Sequence, residues 1–497
     1  MAVVLLLLAL AVASWSGLGL TLLLWGPVRG DSPDGAPRRL PGLGELCCLS
    51  FLLGTGNVAV TMELTGFLTS AVPAITVVEC VLLGAIGVAL RRSTVLALAR
   101  RRPSPRDAGW TAATFAAIAT LGSVAMWFSL HTSLEWDGLT VWFFKAQLAA
   151  THHGRIPAAY YRDPTLVWSA PNHPVYLPLV SSWIFGWMRH TSEYAIKALF
   201  PLYLVASAGL IAGAVRRTTG RRALAAVAPL LMLATPVLLH GPGSAASGYA
   251  DVPIGAFYLA AVLMAVEFLH SGAPHARRVL AALGIVLPLV KLEGTHLFGI
   301  TLLIVTVVLI VRARHAGWRS TWRATLRTLA TTAAPFVAIV VIWRAMLGAR
   351  HVNVTGDLLT MTPHNLLTHL DRTGPLLASL GREITDWDRW SLLWVWCVVA
   401  LVLWTITRTG HRRIVLPLLL LVPIALDVGV FYFSSWSPVT PHIDSTLYRL
   451  LIHVVPVAVL LIVLSWPVTD RPAPDAPGMP AAGGSNVAEM NECASAE

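Results

Sequence analysis

Charge is scarce in this chain: of 497 residues only 12% are Asp, Glu, Lys or Arg, while 56% are hydrophobic. A soluble globule of that size needs more polar surface, and the repeated apolar runs instead predict a protein that crosses a membrane many times. Cysteine is rarer still. Cys47, Cys48, Cys80 and Cys397 lie inside apolar runs and Cys493 lies near the end, a distribution that offers neither a disulfide framework nor metal-ligand spacing. Lysine is the rarest charged residue, present only as Lys145, Lys197 and Lys291, and arginine supplies the other cations. The net charge of +11 would suggest a nucleic-acid partner if it were spread over one surface. The arginines fall instead in short clusters between apolar runs, the pattern that marks cytoplasmic loops, so no nucleic-acid partner is expected. The first run, Ala2 to Trp25, has no basic segment before it and reads as a retained span.

About 20 apolar residues cross a bilayer as helix. Candidates run near 3–25, 43–64, 72–90, 109–130, 195–215, 222–239, 250–270, 294–312, 328–347, 391–408, 413–433 and 447–466, with a shorter one at 278–291. Placing Arg38-Arg39, Arg91-Arg92, Arg100 to Arg102, Arg216 to Arg222, Arg277-Arg278, Arg312 to Arg327 and Arg408 to Arg413 all inside requires an odd number of crossings, with the N-terminus outside and the C-terminus cytoplasmic. The same condition makes Val279 to Val290 cross and keeps His173 to Met188 as an interfacial helix. The expected fold class is therefore an all-α polytopic integral membrane protein with about thirteen transmembrane helices and extracytoplasmic juxtamembrane helices. Three regions are expected: an N-terminal three-span region (1–108), a main membrane module (109–467) and a disordered cytoplasmic tail (468–497), the last rich in Pro, Ala, Gly and Ser.

The inner loops are short and basic, whereas the outer side collects Glu135, Asp137, Lys145, His173, Asp251, Lys291, Glu293, His442, Asp444 and Arg449. Ionisable groups beside hydrocarbon are costly and mark functional sites. Plainer readings stand beside this one. Glu135-Trp136-Asp137-Gly138 could be a solvated helix end, Asp251 could cap the helix it opens, and Asn172 to Pro178 could be an entry turn with an interfacial tyrosine. Asp386 and Asp388 have a spacing that can chelate a divalent cation, but Trp387 and Trp390 fit a solvated run entering the aromatic belt.

In chain order these pieces form a pattern: Glu-x-Asp after a span (Glu135, Asp137), a long outer loop, Asn172 to Pro178, Gly-Tyr-Ala-Asp (Gly248 to Asp251), Lys-x-Glu-Gly (Lys291 to Gly294) and Ser-Thr-Leu-x-Arg (Ser445 to Arg449). That order resembles the type C glycosyltransferases, multi-span enzymes related to protein O-mannosyltransferases and lipid A aminoarabinose transferases. The resemblance covers about Trp110 to Pro467. It implies an inverting transfer of a sugar from a polyprenyl-phosphate donor to a cell-envelope acceptor at the extracytoplasmic face. Asp137 would be the general base and Glu135 its assistant, in an apolar cleft with Trp136 and Trp142. Lys291 and Arg449, then Lys145, would hold the donor phosphate. His173, Tyr249, Asp251, Glu293 and His442 would contact substrates, and no metal or cofactor is implied. His173 departs from the pattern, standing where relatives often carry a tyrosine or an acid.

Two other classes fit a polytopic chain. A transporter or lipid flippase would place charges near the bilayer midplane, where only Glu267 and Asp427 are expected well inside spans. A membrane scaffold would need no acid beside a cationic pocket.

Overall fold

The computed structural model describes residues 1–26, 42–100, 105–352, 358–408 and 412–466. The tail expected to be disordered and the Arg38-Arg39 pair lie outside the described residues. Among those described, helix is the only extended regular structure, as it must be where lipid offers backbone groups no partner. The helices used below are α1 (Ala2–Trp25), α2 (Leu43–Gly66), α3 (Val72–Leu90), α4 (Pro105–His131), α5 (Phe144–Thr151), α6 (Tyr176–Met188), α7 (Leu199–Thr219) and α8 (Arg222–Leu233). They continue with α9 (Asp251–Ser271), α10 (Pro274–Val290), α11 (Glu293–His315), α12 (Trp318–Ala349), α13 (Thr373–Thr385), α14 (Leu393–Thr407), α15 (Arg412–Gly429), α16 (Thr440–Ile452) and α17 (Val455–Ser465).

Every apolar run expected to cross is helical, but they differ in length. Among the described residues nine helical segments are long and apolar enough to span a membrane, and ten if α16 and α17, bent by 50°, form one span. The remaining three are shorter: α8 has 12 residues, α14 has 15, and α10 has 17 with Pro288 inside it. The protein is thus a polytopic helical bundle whose crossing count is coarser than the thirteen expected.

The helices pack where side chains are smallest. A Cβ placed on Gly17 would stand 1.8 Å from the carbonyl oxygen of Ser50, and one on Gly54 would stand 2.0 Å from that of Ala13. Backbones that close are the usual way membrane helices gain contact, since lipid removes the hydrophobic drive between them. Through this seam α1 and α2 join the main core, because both also touch α6 and α10.

The segment His173 to Met188, expected to be an interfacial helix, is enclosed by protein: α6 is wrapped by α1, α2, α5 and α10, and the side chains of Tyr176 to Phe185 are all buried. Trp183 donates its indole N–H to the Ala9 carbonyl at 3.0 Å, and the Tyr176 hydroxyl bonds those of Thr55 (2.8 Å) and Tyr203 (2.6 Å). A helix apolar on all sides has no face to offer water, so burial suits it better.

The ends of the bundle form two charged poles, and α9 reaches both. Its first residue, Asp251, belongs to one pole, and Glu267 near its last turn belongs to the other. Sixteen residues of helix separate them by about 24 Å at 1.5 Å per residue. At the second pole Arg217 pairs with Glu45 and, at 3.4 Å, with Glu267. His275 lies 2.8 Å from Glu267 and stacks on Trp25. The arginine bookkeeping had assigned these helix ends to one side and the Asp251 end to the other, and the helix ends segregate in that way.

Candidate functional site

The first pole is assembled from four distant stretches of chain. After α4 the chain turns, and Leu134 and Glu135 are held by their backbone N–H groups, which donate to the Glu193 carboxylate (2.8 Å) and the Ser247 carbonyl (3.0 Å). The next residues wind as a π-helical turn, Gly138–Phe143, a form frequent at functional sites. Gly138 is needed there: a Cβ on it would stand 2.4 Å from the Ser247 oxygen. Asp137 immediately before it makes no capping bond with its side chain. The loop Gly241–Tyr249 packs on the other side, and Gly243 (φ +84°) leaves room for the Arg449 side chain, whose Cγ a Cβ would meet at 3.3 Å.

The side chains then meet in one connected cluster. Arg449, on α16, places Nη2 2.6 Å from Asp137 Oδ2 and Nε 3.4 Å from Asp251 Oδ2, with its guanidinium 4.4 Å above the Tyr249 ring. Lys291, in the turn between α10 and α11, lies 2.7 Å from Asp251 Oδ1 and 2.9 Å from Glu293 Oε1. His453 Nε2 is 2.8 Å from the same Asp251 oxygen and 3.2 Å from Lys291 Nζ. That nitrogen cannot accept from lysine while it donates to aspartate, so the proton is assigned to Nε2, facing Asp251.

Depth sorts the members of this cluster. The Asp251 side chain is 0% exposed and that of Lys291 5%, whereas Arg449 is 16% and Asp137 28% exposed. The buried end is a knot of ion pairs, and the open end is the Asp137–Arg449 pair. Three carboxylates (Asp137, Asp251, Glu293) face two fixed cations. Polar atoms in the neighbourhood remain without a hydrogen-bond partner: Glu293 Oε2, His173 Nδ1 and His453 Nδ1 are buried and unmatched. Buried groups of this kind are costly unless something completes them.

Around this core the other expected residues divide. Glu135 is half-buried, and burial raises its carboxyl pKa, with Arg449 opposing. Lys145 is fully buried and donates to the carbonyls of Ala170 (2.8 Å) and His173 (3.5 Å). With no carboxylate partner, burial lowers its pKa to about 7. His173 packs against Trp142 and is pushed down to about 3, by burial first and then by the Lys145 charge. Burial likewise raises the Tyr249 phenol to about 12.

Several expectations are corrected. Asp251 is not a helix cap: α9 starts from Ala250 without any side-chain cap, and Asp251 spends both oxygens on Lys291, Arg449 and His453. Trp136 does not line a cleft, being 71% exposed, while Trp142 is buried as expected. His442 packs against Ser434 (2.7 Å to Oγ) and stacks on Trp436, two turns before Arg449. Asp386 caps the short helix Trp387–Trp390 through the Arg389 N–H, and Asp388 is exposed, which fits the solvated run. Glu267 and Asp427 do not meet in a relay: Glu267 sits at the second pole, and Asp427 pairs with His296 at 2.9 Å, one turn beyond Glu293. No group of His, Cys, Asp and Glu among the described residues has the geometry to hold a metal ion.

Sequence reasoning missed His453, which stands inside the apolar run ending α16 and opening α17. The signal was present: it lies four residues after Arg449, close to the same helical face. Comparisons of the chain with family models, with curated proteins and with solved structures give no match.

Proposed function

We propose that this protein is an inverting membrane glycosyltransferase of the type C kind, moving a sugar from a polyprenyl-phosphate donor to a cell-envelope acceptor. The observation that carries the reading is the contact chain Asp137–Arg449–Asp251–Lys291, with a carboxylate and a guanidinium at its open end. In this reaction the acceptor hydroxyl attacks the anomeric carbon and its proton passes to Asp137. The bond from that carbon to the phosphate oxygen breaks, and the polyprenyl phosphate leaves with the electron pair. Arg449 meets the charge that grows on the phosphate, in a site where few waters compete. Lys291 serves from behind, keeping Asp251 and Glu293 in place, and Glu135, whose pKa burial raises, relays or shares the proton. Lys145 holds the loop that carries His173.

The reading is tested by transfer from a labelled polyprenyl-phosphate sugar to envelope glycans. Asp137→Asn keeps the side-chain shape and removes the base, which typically costs about two to four decades in rate. Near-normal transfer in that variant refutes the assignment of the base. Glu135→Gln is the internal comparison, since a larger loss there moves the base by two residues.

The finer topology belongs to the same proposal: thirteen crossings, the N-terminus outside, and the site at the extracytoplasmic face. A cysteine placed at Thr151 is expected to react with a membrane-impermeant label added outside, and one at Ser320 is not. The opposite pattern overturns both the orientation and the choice of an extracytoplasmic acceptor.

A flippase or proton-coupled lipid transporter is the second reading. It draws on the surplus of carboxylates over fixed cations in the cluster and on the Asp427–His296 pair. Lipid movement across vesicles without glycosyl transfer would favour it.

A further inference from the structure

The open end of the cluster contains a competition. Arg449 is the most accessible cation in it, and its shortest contact, 2.6 Å, is to Asp137. A carboxylate oxygen engaged by a guanidinium at that distance is turned to the guanidinium and not to an acceptor hydroxyl. The same guanidinium is the natural ligand for an incoming phosphate. Of the three carboxylates, Asp251 is sealed in with no exposure, and Glu293 is tied to Lys291 at 2.9 Å. Asp137 and Glu293 each hold one fixed cation, but Asp137 is the more exposed (28% against 21%) and its cation, Arg449, is the more exposed of the two.

We infer that the lipid phosphate displaces Asp137 from Arg449, so that donor binding both fills the phosphate site and releases the base. This rests on the glycosyltransferase reading and adds an order of events to it. Before the donor arrives, Asp137 neutralises Arg449 and leaves an acceptor hydroxyl with its proton. Once a phosphate oxygen takes the Nη2 donor, the Asp137 carboxylate turns to the acceptor. Arg449 remains anchored throughout by Asp251 and by the Tyr249 ring. Tyr249 is thereby a positioning residue, holding the plane of the guanidinium while its partner changes.

The inference makes an unusual demand: the variant that cannot catalyse should bind donor better. Equilibrium binding of a labelled polyprenyl phosphate in detergent micelles is measured for the wild type, Asp137→Asn and Arg449→Gln. Removing the competing charge should tighten binding about tenfold in Asp137→Asn, a free-energy change near 1.4 kcal/mol, while Arg449→Gln loses binding. Equal or weaker binding by Asp137→Asn overturns the displacement while leaving the glycosyltransferase reading intact. Failure of all three proteins to bind removes the donor reading and the displacement with it. A second measurement uses the unaltered protein and so does not depend on a variant folding. Carbodiimide coupling of Asp137 to an amine, followed by peptide mass spectrometry, should increase when polyprenyl phosphate is added; protection of Asp137 by the lipid also overturns the proposal.

Discussion

The two poles of the bundle are made of the same materials and arranged to opposite ends. At the second pole Arg217 joins Glu45 and Glu267, and His275 closes the group by bonding Glu267 and stacking on Trp25. Four helices, α2, α7, α9 and α10, are tied there by paired charges. The first pole has a similar knot at its base, Lys291 between Asp251 and Glu293, but continues outward to a pair, Asp137 and Arg449, that a ligand can reach. Buried polar atoms without a hydrogen-bond partner occur at both poles, Glu45 Oε2 at the second and Glu293 Oε2, His173 Nδ1 and His453 Nδ1 at the first. Neither ion pairs nor unmatched atoms alone therefore mark a site. A site is recognised where paired charges grade from sealed to open.

The comparison can be broken at its deepest point first. Asp251→Ala leaves Lys291 and Arg449 buried without their shared carboxylate, and breaking a buried pair from one side costs about 3–5 kcal/mol. The expected outcome is a protein that unfolds at markedly lower temperature and transfers no sugar; a variant of normal thermal stability would show that the knot is not structural. At the second pole a neutralising change should do much less, because Arg217 keeps Glu45 as a partner. Glu267 is a quarter exposed, so Glu267→Gln should cost about 1 kcal/mol or less, with sugar transfer unchanged. A large loss of transfer there would mean that the poles are coupled through α9.

A pH dependence sharpens the picture of Lys145. Its pKa falls from 10.5 toward about 7 on folding because no carboxylate compensates its burial. Between these values the unfolded chain holds a proton that the folded protein has released, so this group makes stability rise with pH across that window. Below pH 7 both states are protonated and the burial cost is present in full. Thermal melting followed from pH 7 to 10 should show this rise in the wild type, and Lys145→Met should flatten it.

Much of this was legible in the residues, and the rest was hidden for identifiable reasons. Long apolar runs predicted the helices, since a run of about 20 such residues has few alternatives. The arginine clusters separated the helix ends into two groups because charge cannot rest in hydrocarbon. Asp137, Asp251, Lys291, Glu293 and Arg449 were grouped by their common side, and all five meet. The burial of α6 among other helices was not legible, because its length and the charge count say nothing of which helices surround it. Trp136 was misplaced because a sequence does not say which way a side chain points from an irregular turn. His453 was overlooked because apolar neighbours conceal a single polar residue from any composition argument.

Helix α6 also bears on how the chain is made. Its 13 residues are too few to cross a bilayer, it has no face suited to water, and its partners come from both earlier and later parts of the chain. The first of them, α1 and α2, have emerged before it, and the indole of Trp183 can find the Ala9 carbonyl at once. The last, α10, is translated only after α7, α8 and α9 have passed. During that interval an apolar rod stands half-covered against the glycine-sealed pair α1–α2. The pair α1–α2 is thus placed to receive α6 early and to hold it until α10 arrives to cover the other side.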